Sequence, residues 1–332
     1  MQNSSPVYPI QWKDTLADLI TDPDELCHLL DLKDLDREAI KASCNDFPLR
    51  VPRPYFSRIK PADPRDPLLL QILPRTEELI TTDASQLDPL QEQQFSPVSG
   101  LLHKYHGRVL LVLSGSCAIH CRYCFRRHFP YQDARIGKTQ WEEILDYIKA
   151  DSSITEVIFS GGDPLNSTDA ALARKCEDLA AIPHLKRLRI HTRQPIMVPQ
   201  RINEACLAWM NQTRLNVVMV LHSNHAQEID SQVKKALIDL RDAGITLLNQ
   251  SVLLKGINDS ATILAELNER LFECGVLPYY LHMLDPVQGA MHFAVSQEQA
   301  MQIKAELQAS LPGYLVPRFA IEEPHARNKT TL

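Results

Sequence analysis

From Arg108 onward, six apolar runs of strand length alternate with six amphipathic stretches of helical length. The apolar runs are Val109–Leu113, Glu156–Ser160, Leu185–His191, Leu215–Leu221, Ile245–Val252 and Pro278–Met283; the stretches between and after them lie near 139–150, 168–181, 200–211, 228–243, 260–274 and 296–310. A strand followed by a helix and another strand brings the chain back in the same direction, so the pattern predicts parallel strands with right-handed crossovers. Closing such a barrel takes eight units. Six predict an α/β fold of the open type, a partial (β/α)6 barrel over residues 108–312. Residues 1–107 then form a helical and connecting N-terminal extension, and 313–332 a C-terminal segment. Helical character is expected from Trp12 to Ile20, and again after Asp22-Pro23, where an acidic N-cap precedes proline. Residues 51–107, rich in Pro and Asp, read as a wrapping connector with short helices.

Barrels of this kind carry their chemistry on the loops after the strands. The loop after the first run holds Cys117, Cys121 and Cys124, a C-x₃-C-x₂-C triplet. Three thiolates around one site, with no fourth, would hold a [4Fe–4S] cube with one iron left open for a small molecule; electron-transfer clusters usually fill all four positions. Zinc is the competing occupant, because His120 and His128 could complete a four-ligand set. Cys27, Cys44, Cys176, Cys206 and Cys274 read as core or surface thiols.

Other strand ends carry polar groups on the same rim. The second ends in Gly161-Gly162-Asp163, where paired glycines allow close approach to the backbone and the aspartate can accept from an ammonium. Arg126, two residues past Cys124, can grip a carboxylate with two parallel hydrogen bonds. His222, Asn224 and His225 follow the fourth run, Asn249-Gln250 closes the fifth, and Asp285 follows the sixth. On position alone, Lys329 would be a solvated tail residue.

Bulk properties exclude several classes. With 35 basic against 41 acidic residues and no long basic run, nothing favours nucleic acid or a membrane surface. The first residues show no basic and apolar leader, and no apolar stretch is long enough to span a bilayer, so a cytoplasmic protein is expected.

The cysteine triplet and the Ser160-Gly-Gly-Asp-Pro-Leu165 turn resemble the radical S-adenosylmethionine (SAM) superfamily. With His103–Arg108, Cys121–Phe129, Pro199–Ile202, Asn249–Leu254, Pro278–Tyr280 and Gly313–Pro317, the chain from about residue 90 onward resembles the lysine 2,3-aminomutases. Thr21–Leu26, Leu101–His106, Phe125–Tyr131 and Asp285–Phe293 resemble the branch that serves (R)-β-lysylation of elongation factor P. The resemblance implies a [4Fe–4S] cluster on the three cysteines and SAM bound through Gly161, Gly162, Asp163, His222 and Gln250. It also implies pyridoxal 5′-phosphate (PLP) joined to Lys329, with Lys104, Tyr105 and Arg108 near its phosphate. Arg126 would hold the carboxylate of L-lysine, and Asp285 and Glu322 its distal ammonium. The glycine-rich run that usually precedes the PLP lysine is replaced here by His325-Ala-Arg-Asn328. The expected reaction converts L-lysine to (R)-β-lysine. Expected partners are a reductant such as a flavodoxin or ferredoxin, a β-lysine ligase and elongation factor P. A free-standing lysine 2,3-aminomutase of lysine metabolism shares every site residue, and a non-catalytic zinc or electron-transfer protein is the alternative of a different class.

Overall fold

The computed structural model describes residues 11–33, 35–83 and 85–332. Two short strands, β1 (Leu19–Ile20) and β2 (Val51–Pro52), pair with each other in the N-terminal extension. The main sheet comprises β3 (Leu101–Tyr105), β4 (Arg108–Ser114), β5 (Glu156–Gly161), β6 (Arg187–Thr192), β7 (Asn216–His222), β8 (Thr246–Val252), β9 (Leu277–His282), β10 (Arg318–Ile321) and β11 (Thr330–Thr331). Strands β4 to β10 run parallel in consecutive order, while β3 and β11 pair antiparallel at the two edges. Those edges do not pair with each other, so the sheet is an open barrel rather than a closed one.

Five of the six crossover helices start where the local sequence supplies a side-chain cap; Lys138–Ala150 follows Gly137, which has none. Thr168, Asn203, Asp230, Ser260 and Ser296 accept hydrogen bonds from backbone N–H groups in the first turns of helices Asp169–Ala180, Glu204–Asn211, Ser231–Asp242, Ala261–Glu273 and Gln297–Ser310. Their apolar faces, with that of Lys138–Ala150, pack on one side of the sheet; Ile148, Leu172, Leu179, Val233 and Leu237 join Val157, Leu188 and Met219 in one core. The other side of the sheet is concave. One cavity of about 690 Å³ is lined by residues of every main-sheet strand from β3 to β11.

The extension departs from expectation in two places. The helix Trp12–Ala17 stops before Leu19–Ile20, which pairs as β1. The connector supplies an edge strand, β3, joined to β4 through a tight turn at His106-Gly107, where Gly107 takes φ +77°. Asp22 does cap the helix Pro23–Leu29, accepting from Asp24 N at 2.9 Å.

The extension is locked to the barrel by a buried ion cluster. Arg122 donates from Nε to Glu78 Oε1 at 2.8 Å and from Nη1 to Phe47 O at 2.7 Å. Arg127 donates to Glu78 Oε2 at 2.9 Å, and these side chains have at most 3% exposure. Removing one partner of a buried pair leaves uncompensated charge, which costs about 3–5 kcal/mol. Glu78→Ala, which strands two guanidinium groups, should lower unfolding free energy by about that amount. Denaturant titration of the purified variant checks this.

Candidate active site

The cysteine loop begins where β4 ends, and β5 holds it down. Gly162 N donates to Ser114 O at 2.7 Å and Asp163 N to Ser116 O at 3.0 Å. A Cβ on Gly161 would stand 2.5 Å from Ser114 O, and one on Gly162 2.7 Å from Ser116 O. The close approach these glycines permit is therefore to the first residues of the cysteine loop. Both also line the cavity. Gly161 takes φ +121°, a left-handed conformation that disfavours any side chain.

Asp163 does not present the free acceptor expected of it. Its carboxylate accepts from Thr192 Oγ1 at 2.8 Å, Arg193 N at 2.8 Å, Leu165 N at 3.0 Å and Gln194 N at 3.2 Å. Four donors fill the lone-pair directions of a carboxylate. Burial nonetheless raises its pKa to about 6, against the pull of those donors. Asp163 clasps the ends of β5 and β6 together.

Cys117, Cys121 and Cys124 are free, half-buried and line the cavity. Burial first, then the neighbouring thiols Cys124 and Cys121 and Asp163, push the Cys117 thiol far up; burial and Cys121 push Cys124 up to about 11. Thiolates crowded in this way call for a cation. Neither histidine that might complete a zinc site is turned toward them: His120 stacks on Phe47 with ring centroids 4.7 Å apart and places Nδ1 2.7 Å from Pro48 O, and His128 Nε2 lies 3.2 Å from Gln288 O. A single zinc needs all its ligands in one coordination sphere, whereas an iron–sulfur cube takes each thiolate on a different iron. The donor set fits the cube. Behind the loop, a network that sequence reasoning missed braces it: Arg193 donates to Cys121 Sγ and Tyr123 Oη, both at 2.6 Å, and to Gln71 and Glu228.

Arg126 lies beside this loop, buried, but its fork is already engaged. Nε and Nη2 donate to the two carboxylate oxygens of Glu92 at 2.7 and 2.6 Å, while Nη1 donates to Ser160 Oγ and Gly161 O, both at 3.2 Å. Of its five N–H donors, one is left for a ligand. The expected two-point grip on a substrate carboxylate is not available while Glu92 holds this edge.

Lys329 is drawn into the same cavity by its neighbours on β10 and β11. Its Nζ is hydrogen-bonded to Glu322 Oε2, and Glu322 Oε1 accepts from Lys104 Nζ at 3.1 Å and Tyr105 Oη at 3.0 Å. The solvated-tail position is thus wrong, and the side chain is only 22% exposed. Burial alone would raise the Glu322 pKa, but the Lys329 and Lys104 ammonium groups hold it down at about 2. Glu322 is accordingly occupied by the protein's own cations. Asp285 is different: its carboxylate has no hydrogen-bond partner among the described residues, and burial, then Glu322, raise its pKa to about 7 against the pull of Lys329.

The remaining expected groups also reach the cavity. Gln250 Nε2 donates to His222 Nε2 at 2.9 Å, and burial, then Arg193 and Arg126, lower the His222 pKa to about 3. Arg108 stacks on the Tyr105 ring, 4.7 Å from its centroid, with no acceptor on the described protein, and Arg189 and Arg318 line the same cavity. Arg189 is paired with Glu156, but a half-buried lysine amine in one cavity with the unpartnered Arg108 guanidinium fits an aldehyde cofactor carrying a phosphate. Two histidines not singled out from the sequence, His191 on β6 and His282 on β9, complete the wall. Strand alternation is the signal that could have found them.

Residues 111–266 match the Radical SAM superfamily, and the open parallel barrel with three cysteines after its first parallel strand agrees with that match. Family membership fits the chemistry of the site: a [4Fe–4S] cluster on the three thiols and SAM. The chain is 48% identical to "L-lysine 2,3-aminomutase" of Escherichia coli (strain K12) over 97% of its own length and 94% of the relative's. It is also 48% identical to the Haemophilus influenzae protein of that name, over 96% and 94%, and 34% identical to that of Clostridium subterminale, over 96% and 77%. The chain belongs to the lysine 2,3-aminomutase family, and it is an enzyme of that isomerase type.

The state of Asp285 has a consequence for stability. A carboxyl raised to about 7 in the fold but ordinary when unfolded keeps its proton longer in the folded state. Stability therefore falls as pH rises from about 4 toward 7. Asp285→Asn should raise the melting temperature of the ligand-free protein, by more at pH 8 than at pH 5, as differential scanning calorimetry would show.

Proposed function

We propose that the protein converts L-lysine to (R)-β-lysine, moving the amino group from the α- to the β-carbon with SAM and PLP as cofactors. The observation that carries this reading is Asp285, a half-buried carboxylate without a hydrogen-bond partner among the described residues, in one cavity with a half-buried lysine amine and three cysteines. A carboxyl there selects a ligand with an ammonium group, because only a cation compensates its ionised form, whereas a neutral chain of equal length leaves it protonated and gains no ion pair.

The cluster with SAM would supply the means to break an unactivated C–H bond, and PLP the electrophile that holds the amine undergoing migration. The chain's own residues do the rest. Cys117, Cys121 and Cys124 hold the cluster. Lys329 offers Nζ, whose proton Glu322 Oε2 accepts in a hydrogen bond. Arg108, with Lys104 and Tyr105 close by, faces the space where a phosphate would sit. Asp285 takes the distal ammonium, and Arg126, steadied by Glu92, stands toward the carboxylate. His222 and His282, each lowered to about 3 by burial and neighbouring charge, stay neutral and do not leak protons. Holding lysine at both ends fixes which hydrogen is presented.

The motifs at Leu101–His106 and Asp285–Phe293 support a placement in which β-lysine passes to a separate ligase acting on elongation factor P. In that setting the enzyme is cytoplasmic and takes its electron from a flavodoxin or ferredoxin. No helix among the described residues is long and apolar enough to cross a membrane.

Two experiments test the reading. Reconstituted protein given SAM, PLP, dithionite and labelled L-lysine should release labelled (R)-β-lysine on chiral analysis; intact cluster and SAM cleavage without β-lysine would refute it. Lys329→Ala should lose the visible absorbance of lysine-bound PLP while its iron–sulfur spectrum is unchanged.

A further inference from the structure

The cavity wall carries a polar group, the His191 imidazole, for which neither the fold nor the proposed reaction has a use. His191 lies on β6, where Arg187, Arg189 and His191 alternate with the buried Leu188, Ile190 and Thr192. The alternation turns Arg189 and His191 toward the cavity. The His191 ring stands edge-on to that of His222, with centroids 5.9 Å apart. Its Nε2 is buried and has no hydrogen-bond partner among the described residues. Buried polar atoms in folded proteins are almost always paired, so an orphan on a cavity wall marks a ligand contact.

The surroundings define that ligand's chemistry. Burial first, then Arg189, His222, Lys329 and Arg126, keep the imidazole neutral, although Glu156, Glu322 and Glu92 already pair those three cations. A neutral ring has one N–H to give and Arg126 keeps one N–H uncommitted, so a group shared by these two donors is an acceptor with two oxygens, as a carboxylate is. Its position is set by strand register. Phe159 of β5 pairs with Ile190 of β6, so Ser160 and His191 share the next rung. Ser160 Oγ is the atom that receives Arg126 Nη1 at 3.2 Å. Arg126, with Glu92 on its fork, has a single N–H left and cannot satisfy both oxygens of a carboxylate.

We propose that His191 is a substrate-binding residue whose Nε2–H donates to the α-carboxylate of the amino acid, sharing that carboxylate with Arg126. The inference rests on the lysine reading above and adds the second donor that the Arg126–Glu92 pair makes necessary.

Binding can be read without turnover. PLP-loaded protein lacking SAM and reductant is titrated with L-lysine and with 1,5-diaminopentane, which keeps both amines and has no carboxylate; the shift of the visible PLP band reports occupancy. A hydrogen bond to a charged group corresponds to an affinity change of roughly tenfold or more. His191→Ala should weaken L-lysine by about tenfold or more and 1,5-diaminopentane by less than about twofold, with iron and PLP content unchanged. His191→Gln, which keeps an N–H donor, should recover most of the lysine affinity. If His191→Ala does not fold, His191→Leu takes its place. Equal weakening of both ligands, unchanged lysine affinity, or loss of PLP in His191→Gln would each overturn the assignment. Failure of the aminomutase reading shows instead in the wild type, as lysine bound with no β-lysine formed.

Discussion

A parallel sheet that stops short of closing has a concave face it cannot cover with its own helices, since the crossovers pack on the convex side. That constraint organises the rest of the molecule. The open face is closed by segments from outside the β/α repeats: Gln71 and Glu78 from the extension reach the cysteine loop, Glu92 reaches Arg126, and Lys329 folds in from β11. Segments on both sides of the β/α repeats thereby contribute to the cavity wall and its bracing. The buried pairs Arg122–Glu78 and Arg126–Glu92 are the price of bringing cations into a low-dielectric interior, where an unpaired guanidinium would be intolerable. They also give the cysteine loop a fixed shape, because Arg122, Arg126 and Arg127 all lie on or just beyond it.

What could be read from the sequence follows the range of the interactions involved. The cysteine loop, the helix caps and the strand order rest on contacts within a few residues or between successive units, and the spacing exposes them. Glu92 and Glu78 are 34 and 44 residues from their arginines, so no local pattern announces them. Arg126 therefore reads as a free carboxylate grip when four of its five donors are spoken for. Asp163 reads as an open acceptor for a related reason: its donors Thr192, Arg193 and Gln194 come from the next strand and its following loop. β3 was hidden in a proline-rich connector because its five residues alternate too little to stand out. Lys329 is the clearest case of information that physics of the sequence alone lacks, since only resemblance lifts it from a solvated tail and only the fold shows it half-buried.

The charges in the cavity divide into settled and unsettled ones, and this division separates structure from function. Arg126, Lys104 and Lys329 are matched to Glu92 and Glu322 within the protein. Arg108 and Asp285 have no such partner among the described residues, and on the proposed reading they would receive a phosphate and an ammonium. His191 belongs with the second group by the same criterion, having a buried nitrogen that the chain does not satisfy.

Two carboxylates in one site with pKa values pushed in opposite directions generally serve different roles. Glu322, held at about 2 by Lys329 and Lys104, is always charged and so always available to orient the lysine amine. Asp285, raised to about 7, sits protonated at little penalty until a cation arrives, and its ionisation is then part of binding. Their proximity links the two: the Glu322 charge is among the causes that raise Asp285. Any step that removes an ammonium from Glu322, as attachment of Lys329 to a cofactor would, strengthens the field at Asp285 and increases its demand for an incoming cation. On the proposed reading a substrate's distal ammonium would meet that demand, so loading the site at Lys329 would prepare the far end of the cavity to select lysine.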